Sequence, residues 1–222
     1  LLAKDNTGYR NLIQLVTNAH LEGFYYKPRI DQELMEQYGQ GIIALSGCPS
    51  GEVPRLIIEG RTDEARERAR WYQETFEGYY LEVQQHRNVP ELELLNPALV
   101  AMSKELDIPL VLTNDCHYVA KEDASIQDLL ICIQTNTNIH DEKRLRMEDD
   151  SYYLRSQEEM GALFPELQEA YENTGRIAQE CNVEMDFSSL HLPEYATPEG
   201  VTADEYLDKL CWEGLRRKLP DA

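Results

Sequence analysis

Residues Leu110 to Tyr118 read LVLTNDCHY, an apolar, strand-like run that stops at Asp115-Cys116-His117. In an extended backbone alternate side chains share a face. Asp115 and His117 are therefore expected to project together from the end of a strand, with Cys116 turned the other way into the core. A carboxylate and an imidazole meeting there can ligate a divalent metal, one donor hard and the other borderline. The same pair also suits a plain polar strand exit in which His117 caps a loop. Two further apolar runs end in a comparable way. Gly41 to Ser46 (GIIALS) stops at Gly47-Cys48-Pro49, and Tyr79 to Gln84 (YYLEVQ) runs into His86. Cys48 taken alone reads more readily as a small buried residue than as a ligand. Three strands that deliver Cys, His and Asp/His at their carboxyl ends nevertheless form a pattern.

For those ends to meet, the strands must lie side by side and point the same way. The intervening segments supply the helices this needs. Asn6 or Thr7 can cap a helix with Leu12, Val16 and Ala19 at helical spacing. A loop with Lys27-Pro28-Arg29 precedes a short helix over 31–38, and helices are expected near 52–59 and from Thr62 to about Gly78. Thr62-Asp63-Glu64 offers a capping hydroxyl and first-turn acids that suit the helix dipole. A helix over about 90–106, with Leu95, Leu99 and Met102 inward, completes the alternation. Strand, helix, strand, helix, strand at this spacing indicates β/α units around a parallel sheet or barrel, whose functional ends are the carboxyl ends. Beyond Tyr118 the character changes. An amphipathic helix over 124–134 is followed by a polar stretch, a capping box at Ser156–Glu159 opening a helix to Phe164, and a helix from Pro165 to about Cys181. A loop-like segment over 187–200 and a second capping box at Thr202–Glu205 lead into a final helix to about Lys218.

Composition narrows the functions available. The 222 residues carry 41 acidic and 21 basic side chains, a formal charge of −20. Nucleic-acid affinity comes largely from cation–phosphate contacts, so so negative a surface does not grip DNA or RNA by itself. Five scattered cysteines without a C-x-x-C argue against a disulfide framework and for a reducing cytoplasm. No apolar stretch reaches transmembrane length, so no membrane role is expected, and the start lacks the features of a signal peptide. The opening Leu1-Leu2-Ala3-Lys4 reads as the tail of a strand already under way, and the chain is expected to be part of a longer protein. His20 and His140 are expected to be structural, and His191, Cys132, Cys181 and Cys211 show no ligand spacing.

Read together, the segments resemble the alpha subunits of bacterial DNA polymerase III. The resemblance runs nearly end to end. It rests on LLAKDNTGYRNL at 1–12, GFYYKPRID at 23–31, IALSGCPSGEVP at 43–54, YYLEVQQH at 79–86, LVLTNDCHYV at 110–119, DLLICIQT at 128–135, NTGRIAQECNVE at 173–184 and EYLDKLCWEGL at 205–215. It implies an α/β fold: an incomplete PHP-type distorted β/α barrel, TIM-barrel-like, over 1–186, then a helical connection towards the polymerase core over 187–222. The family's metal ligands fall on Cys48, Asp115 and His117, with His86 beside them as a supporting group. Its remaining ligands would precede Leu1 and its polymerase aspartates would follow the chain. The complete PHP site implies zinc, manganese or magnesium. The longer protein would be a DNA-directed DNA polymerase, contacting DNA outside this acidic segment and joining other replicase subunits, a proofreading exonuclease among them. The segment alone is expected to be inactive. Lys27 and Arg29 offer a phosphate-binding reading, against a solvated loop with snorkelling bases. An unpaired edge beside the 41–46 strand would drive self-association, unless the N-terminal helix or the C-terminal segment hides it. Two other functions fit the residues: a free-standing PHP phosphoesterase acting on a phosphate monoester, and a non-catalytic acidic interaction module.

Overall fold

The computed structural model describes residues 1–147, 149–190 and 192–219; His191 lies outside them. Contacts divide the chain into two compact units, Leu1–Glu184 and Met185–Ala222. The first unit contains, in chain order, β1 (Leu2–Ala3), α1 (Asn6–Leu21), α2 (Gln32–Tyr38), β2 (Ile42–Leu45), α3 (Glu52–Ile58), α4 (Thr62–Thr75), β3 (Gly78–Val83), α5 (Glu91–Leu106), β4 (Leu110–Leu112), α6 (Ala124–Thr135), α7 (Gln157–Gly161) and α8 (Gln168–Glu180). The second contains α9 (Ala203–Lys218), whose start is a complete capping box between Thr202 and Glu205.

The sheet has the order β1-β2-β3-β4. β2, β3 and β4 are parallel, with Leu45 opposite Tyr80 and Val83 opposite Leu112. β1 is antiparallel to β2 and meets only Ile42 and Ile43. Side-chain alternation gives the strands two faces. Ile42, Ala44, Tyr79, Leu81, Val83 and Leu112 join the large core built with α3, α4 and α5, where Ala65, Ala69, Leu95 and Leu99 are almost fully buried. Ile43, Tyr80 and Val111 face the other way and pack on Ile177 of α8. The Asn173 side chain, also on α8, donates to the Leu110 carbonyl at 2.7 Å and so satisfies an acceptor of the β4 strand.

The end of the first unit is tied to its beginning. Asn182 N donates to Lys4 O at 2.7 Å, and Asn6 exchanges two hydrogen bonds with the Glu184 backbone. The flank of β2 is thus met by the first residues, as a strand rather than a helix. α1 approaches the start of β2 so closely that a Cβ on Gly8 would fall 1.7 Å from the Gly41 carbonyl oxygen, and Gly41 itself has φ +70°. Only glycine serves at that crossing.

Several local expectations are corrected. Asp5, not Asn6 or Thr7, caps α1, its carboxylate accepting from Gly8 N at 2.9 Å. Leu15 and Ala19 are buried but Val16 is half exposed, because the helix turns its Gly8–Leu15–Ala19 stripe to the sheet. Thr62 is the first helical residue of α4 rather than its cap; Arg61 holds the cap position without a side-chain hydrogen bond. α7 stops at Gly161 and α8 begins only at Gln168.

Candidate functional site

Parallel pairing brings the exits of β2, β3 and β4 to one edge of the sheet, so the turns carrying Cys48, His86 and Asp115–His117 all leave from that edge. β4 itself ends at Leu112. Thr113 N still donates to Val83 O at 3.2 Å, after which Asn114 is buried and Asp115 adopts a left-handed backbone, φ +43°. That conformation ends the extended alternation. Cys116 is consequently exposed rather than part of the core, its thiol 3.4 Å from the Tyr153 carbonyl. Asp115 and His117 still meet, with Nε2 of His117 3.5 Å from Oδ1 of Asp115 and both side chains partly open to solvent. Their pairing is a product of the turn, not of strand pleat.

A segment from a distant part of the chain holds this turn. The Asn114 amide donates to the carbonyls of Ser151 and Tyr153, each at 2.8 Å, and His117 N donates to Tyr152 O at 2.8 Å. On the β3 side, one oxygen of Asp149 accepts from Arg87 N at 2.7 Å and Asn88 N at 3.2 Å. Its other oxygen accepts from Ser151 N at 2.8 Å and from the Ser151 hydroxyl. Burial would raise the Asp149 carboxyl, but the hydrogen bonds from Ser151, Asn88 and Arg87 outweigh it and hold the group below its ordinary pKa. Residues 149–154 therefore act as a strap across the exits of β3 and β4.

His86 is the buried anchor of that strap. Its Nδ1 lies 2.6 Å from the Ser151 hydroxyl, and its ring stacks on Tyr152 with centroids 4.0 Å apart and planes 9° apart. The other face of the arrangement is His117, edge-on to the same Tyr152 ring at 5.8 Å. Burial pulls the His86 imidazole below its ordinary pKa against the opposing carboxylates of Asp149 and Asp115. Its Nε2 is buried without a hydrogen-bond partner among the described residues. A neutral ring in a supporting position is what this environment favours.

Beneath the edge, the face of the sheet opposite the large core turns polar. Glu82 accepts from Thr113 at 2.8 Å, from Gln84 at 3.2 Å and from Gly47 N at 3.2 Å, while Glu82 N donates to the Ser46 hydroxyl at 2.8 Å. This network links the exit of β2 to those of β3 and β4. Cys48 sits half-buried in the β2 turn. Among the described residues no group of three or more His, Cys, Asp or Glu side chains could hold a metal ion. Zinc in proteins is almost always four-coordinate, with at least three protein ligands, so the described donors do not by themselves make a metal site. Asp115 and His117 come together; Cys48 shares their edge without completing a set. Lys27 and Arg29 lie exposed on the α1–α2 loop, with the Arg29 guanidinium 5.1 Å above the Tyr25 ring. Among the described residues no hydrogen bond or ion pair ties them to the carboxyl-edge loops. Asp149, Ser151 and Tyr152 lie in none of the quoted motifs, and their partners lie up to 65 residues away in sequence.

With the geometry in place, comparison with known proteins is informative. Residues 1–86 match the family model described as the PHP domain, a span that includes Cys48 and His86 and stops short of Asp115. The chain is 45% identical over 219 residues to DNA polymerase III subunit alpha of Borreliella burgdorferi, covering 97% of this chain and 19% of that protein. It is 41% identical over 228 residues to the Thermus aquaticus subunit, covering 100% of this chain and 19% of the relative. At 32% identity the Campylobacter jejuni subunit is still matched over 99% of the chain and 21% of its own length. The chain is thus similar to DNA polymerase III alpha subunits along nearly its whole length, and it spans about a fifth of the length of the curated relatives it matches. Among the described residues no helix is long and apolar enough to cross a membrane.

Proposed function

We propose that this chain is a segment of a replicative DNA polymerase III alpha subunit from a bacterium. Residues 1–186 would form part of a PHP-type β/α barrel and residues 187–222 the connection towards the polymerase core. The observation that carries the reading is the end-to-end similarity to such subunits, from 32% to 45% identity over at least 97% of the chain. The parallel sheet with its polar carboxyl edge supports it, because β/α folds place their chemistry there. In this reading Asp115 and His117, with Cys48 on the neighbouring exit, are this chain's contribution to a zinc, manganese or magnesium centre whose other ligands come from outside residues 1–222. His86 supports those ligands through the strap. DNA synthesis, DNA contact, association with other replicase subunits and a cytoplasmic location belong to the longer protein.

Hydrolysis of phosphoesters at a metal needs an activated water and groups that stabilise the developing charge. Two adjacent donors do not provide that. The isolated chain is therefore expected to show no turnover of single-stranded DNA or of a chromogenic phosphate monoester with manganese or zinc, while a longer polypeptide carrying it extends a DNA primer. Robust hydrolysis by the isolated chain that is lost in His117→Ala, without primer extension by the longer form, would instead establish a free-standing phosphoesterase.

A further inference from the structure

A cleft of about 370 Å³ opens beside the strap, lined by Arg87, Lys121, Asp150, Ser151, Tyr153, Arg155, Glu159 and Ala162. Three basic side chains around one cleft are unexpected in a chain with two acids for every base. The two carboxylates present are engaged elsewhere than at the two arginines. Asp150 lies 3.5 Å from Lys121. Both oxygens of Glu159 already accept hydrogen bonds, from the Tyr153 hydroxyl at 2.5 Å and from Ser156 N at 2.9 Å. Among the described residues neither Arg87 nor Arg155 forms an ion pair. Arg155 is held in place, its guanidinium 5.5 Å above the Tyr153 ring, and its Nε is buried without a hydrogen-bond partner among the described residues. A buried donor left unpaired costs free energy that an entering acceptor recovers.

We propose that this cleft is an anion subsite that takes the phosphate group of a phosphoester, gripped by Arg87 and Arg155 with Lys121 at its rim. Guanidinium groups match the tetrahedral oxygens of phosphate through paired N–H donors, and two of them unpaired around one space are complementary to one such group. The position suits the chemistry proposed for the edge. Arg87 follows His86 directly, and Ser151 and Tyr153, which line the cleft, flank the Tyr152 carbonyl that accepts from His117 N at 2.8 Å. A phosphate seated here would lie beside the Asp115–His117 turn, so the subsite deepens the phosphoester reading and rests on it. One phosphate held in a local cleft is compatible with an acidic surface that repels a long nucleic-acid backbone.

The test is an NMR titration of the whole chain at about 0.01 M ionic strength, where screening is weakest, with inorganic phosphate in one arm and a thymidine dinucleotide phosphodiester in the other. Saturable amide shifts around 87–88, 121 and 150–155 are expected. Affinity should fall about tenfold in Arg87→Gln and in Arg155→Gln, the loss expected for one charge-assisted hydrogen-bonding group. Arg87 is exposed and its side chain makes no hydrogen bond among the described residues, so its variant tests the site without unfolding it. Shifts with both probes assign the site to a phosphate group in general; shifts with the dinucleotide alone assign it to a diester. No saturable shift with either probe, shifts centred on Lys27 and Arg29, or unchanged affinity in both variants would overturn the subsite. Cobalt titration of the longer polypeptide that supplies the remaining ligands, read at Asp115 and His117, separates this from the metal reading. Cobalt binding that survives while the phosphate response fails removes the subsite alone, and the reverse removes the metal reading alone.

Discussion

The two faces of the parallel sheet come from the same three strands and do different work. The face covered by α3, α4 and α5 is apolar from end to end, with Leu81, Val83, Leu95 and Leu99 essentially without solvent contact. On the opposite face Ile43, Tyr80 and Val111 pack on Ile177, with Leu45 and Cys181 against them. That cluster then gives way to Glu82, Gln84 and Thr113 as the strands approach their carboxyl ends. The first face holds the unit together, and the second delivers polar groups to an edge where solvent and ligands can reach them. Close-packed apolar surface cannot do both, since an unpaired polar group within it would cost more than a hydrogen bond returns.

Neighbouring residues on β3 give the sharpest contrast. Leu81→Ala should destabilise the protein by about 2–5 kcal/mol, the range for truncating a fully buried leucine, measured by denaturant unfolding. Glu82→Gln keeps the shape but turns one accepting oxygen into a donor, so it costs about one hydrogen bond, roughly 1 kcal/mol, and its unfolding midpoint should move less. Equal losses in the two variants would break the distinction between the faces. Next in size is Asn173→Leu. It removes the donor to Leu110 O from a fully buried position and strands that carbonyl, for a loss of about 1–3 kcal/mol.

The strap yields a pH signature. Because burial lowers the His86 pKa in the folded state, the unfolded chain takes up the proton first as pH falls. The stability tied to a neutral His86 is complete above the ordinary histidine value of about 6.5 and is lost as pH drops towards the lower folded-state value. Thermal unfolding should therefore weaken from neutral pH to below 6, and His86→Asn should flatten that slope. An unchanged slope would remove His86 as the anchor of the strap.

The smallest effect concerns uncovered apolar surface. β1 meets β2 at only two residues. Ile13 and Val16 on α1 and Ile126, Leu130 and Ile133 on α6 are largely solvent-facing. Weak concentration-dependent self-association is expected at about 0.15 M salt, where charges are screened beyond roughly 8 Å. Sedimentation would show it. A monomer at every concentration, with readily exchanging β2 amides, would show instead that edge and patches are tolerated.

Much of this architecture is legible from local chemistry. Alternating β/α periodicity and the capping boxes at Ser156–Glu159 and Thr202–Glu205 are all present as read. Each depends on residues within a few positions of one another, so spacing alone carries the information. The shared exit of Cys48, His86 and Asp115–His117 follows for the same reason, because parallel β/α units must place successive strand ends together.

The geometry at that edge does not follow from local pattern. An extended backbone predicts Asp115 and His117 on one face and Cys116 in the core, but the chain leaves the strand at Leu112 and turns left-handed at Asp115. Nothing near Asp115 in sequence requires that turn. It is held by Asn114 bonding to carbonyls at 151 and 153, and by His117 N bonding to the carbonyl at 152. The burial of His86 under Tyr152, the cleft between Arg87 and Arg155, and the exposure of Val16 are likewise set by packing between distant segments. The sequence alone determined which residues reach the edge, since side-chain periodicity is a local property of the backbone. Tertiary structure decided how they face one another, because those directions depend on contacts that form only when the chain has closed on itself.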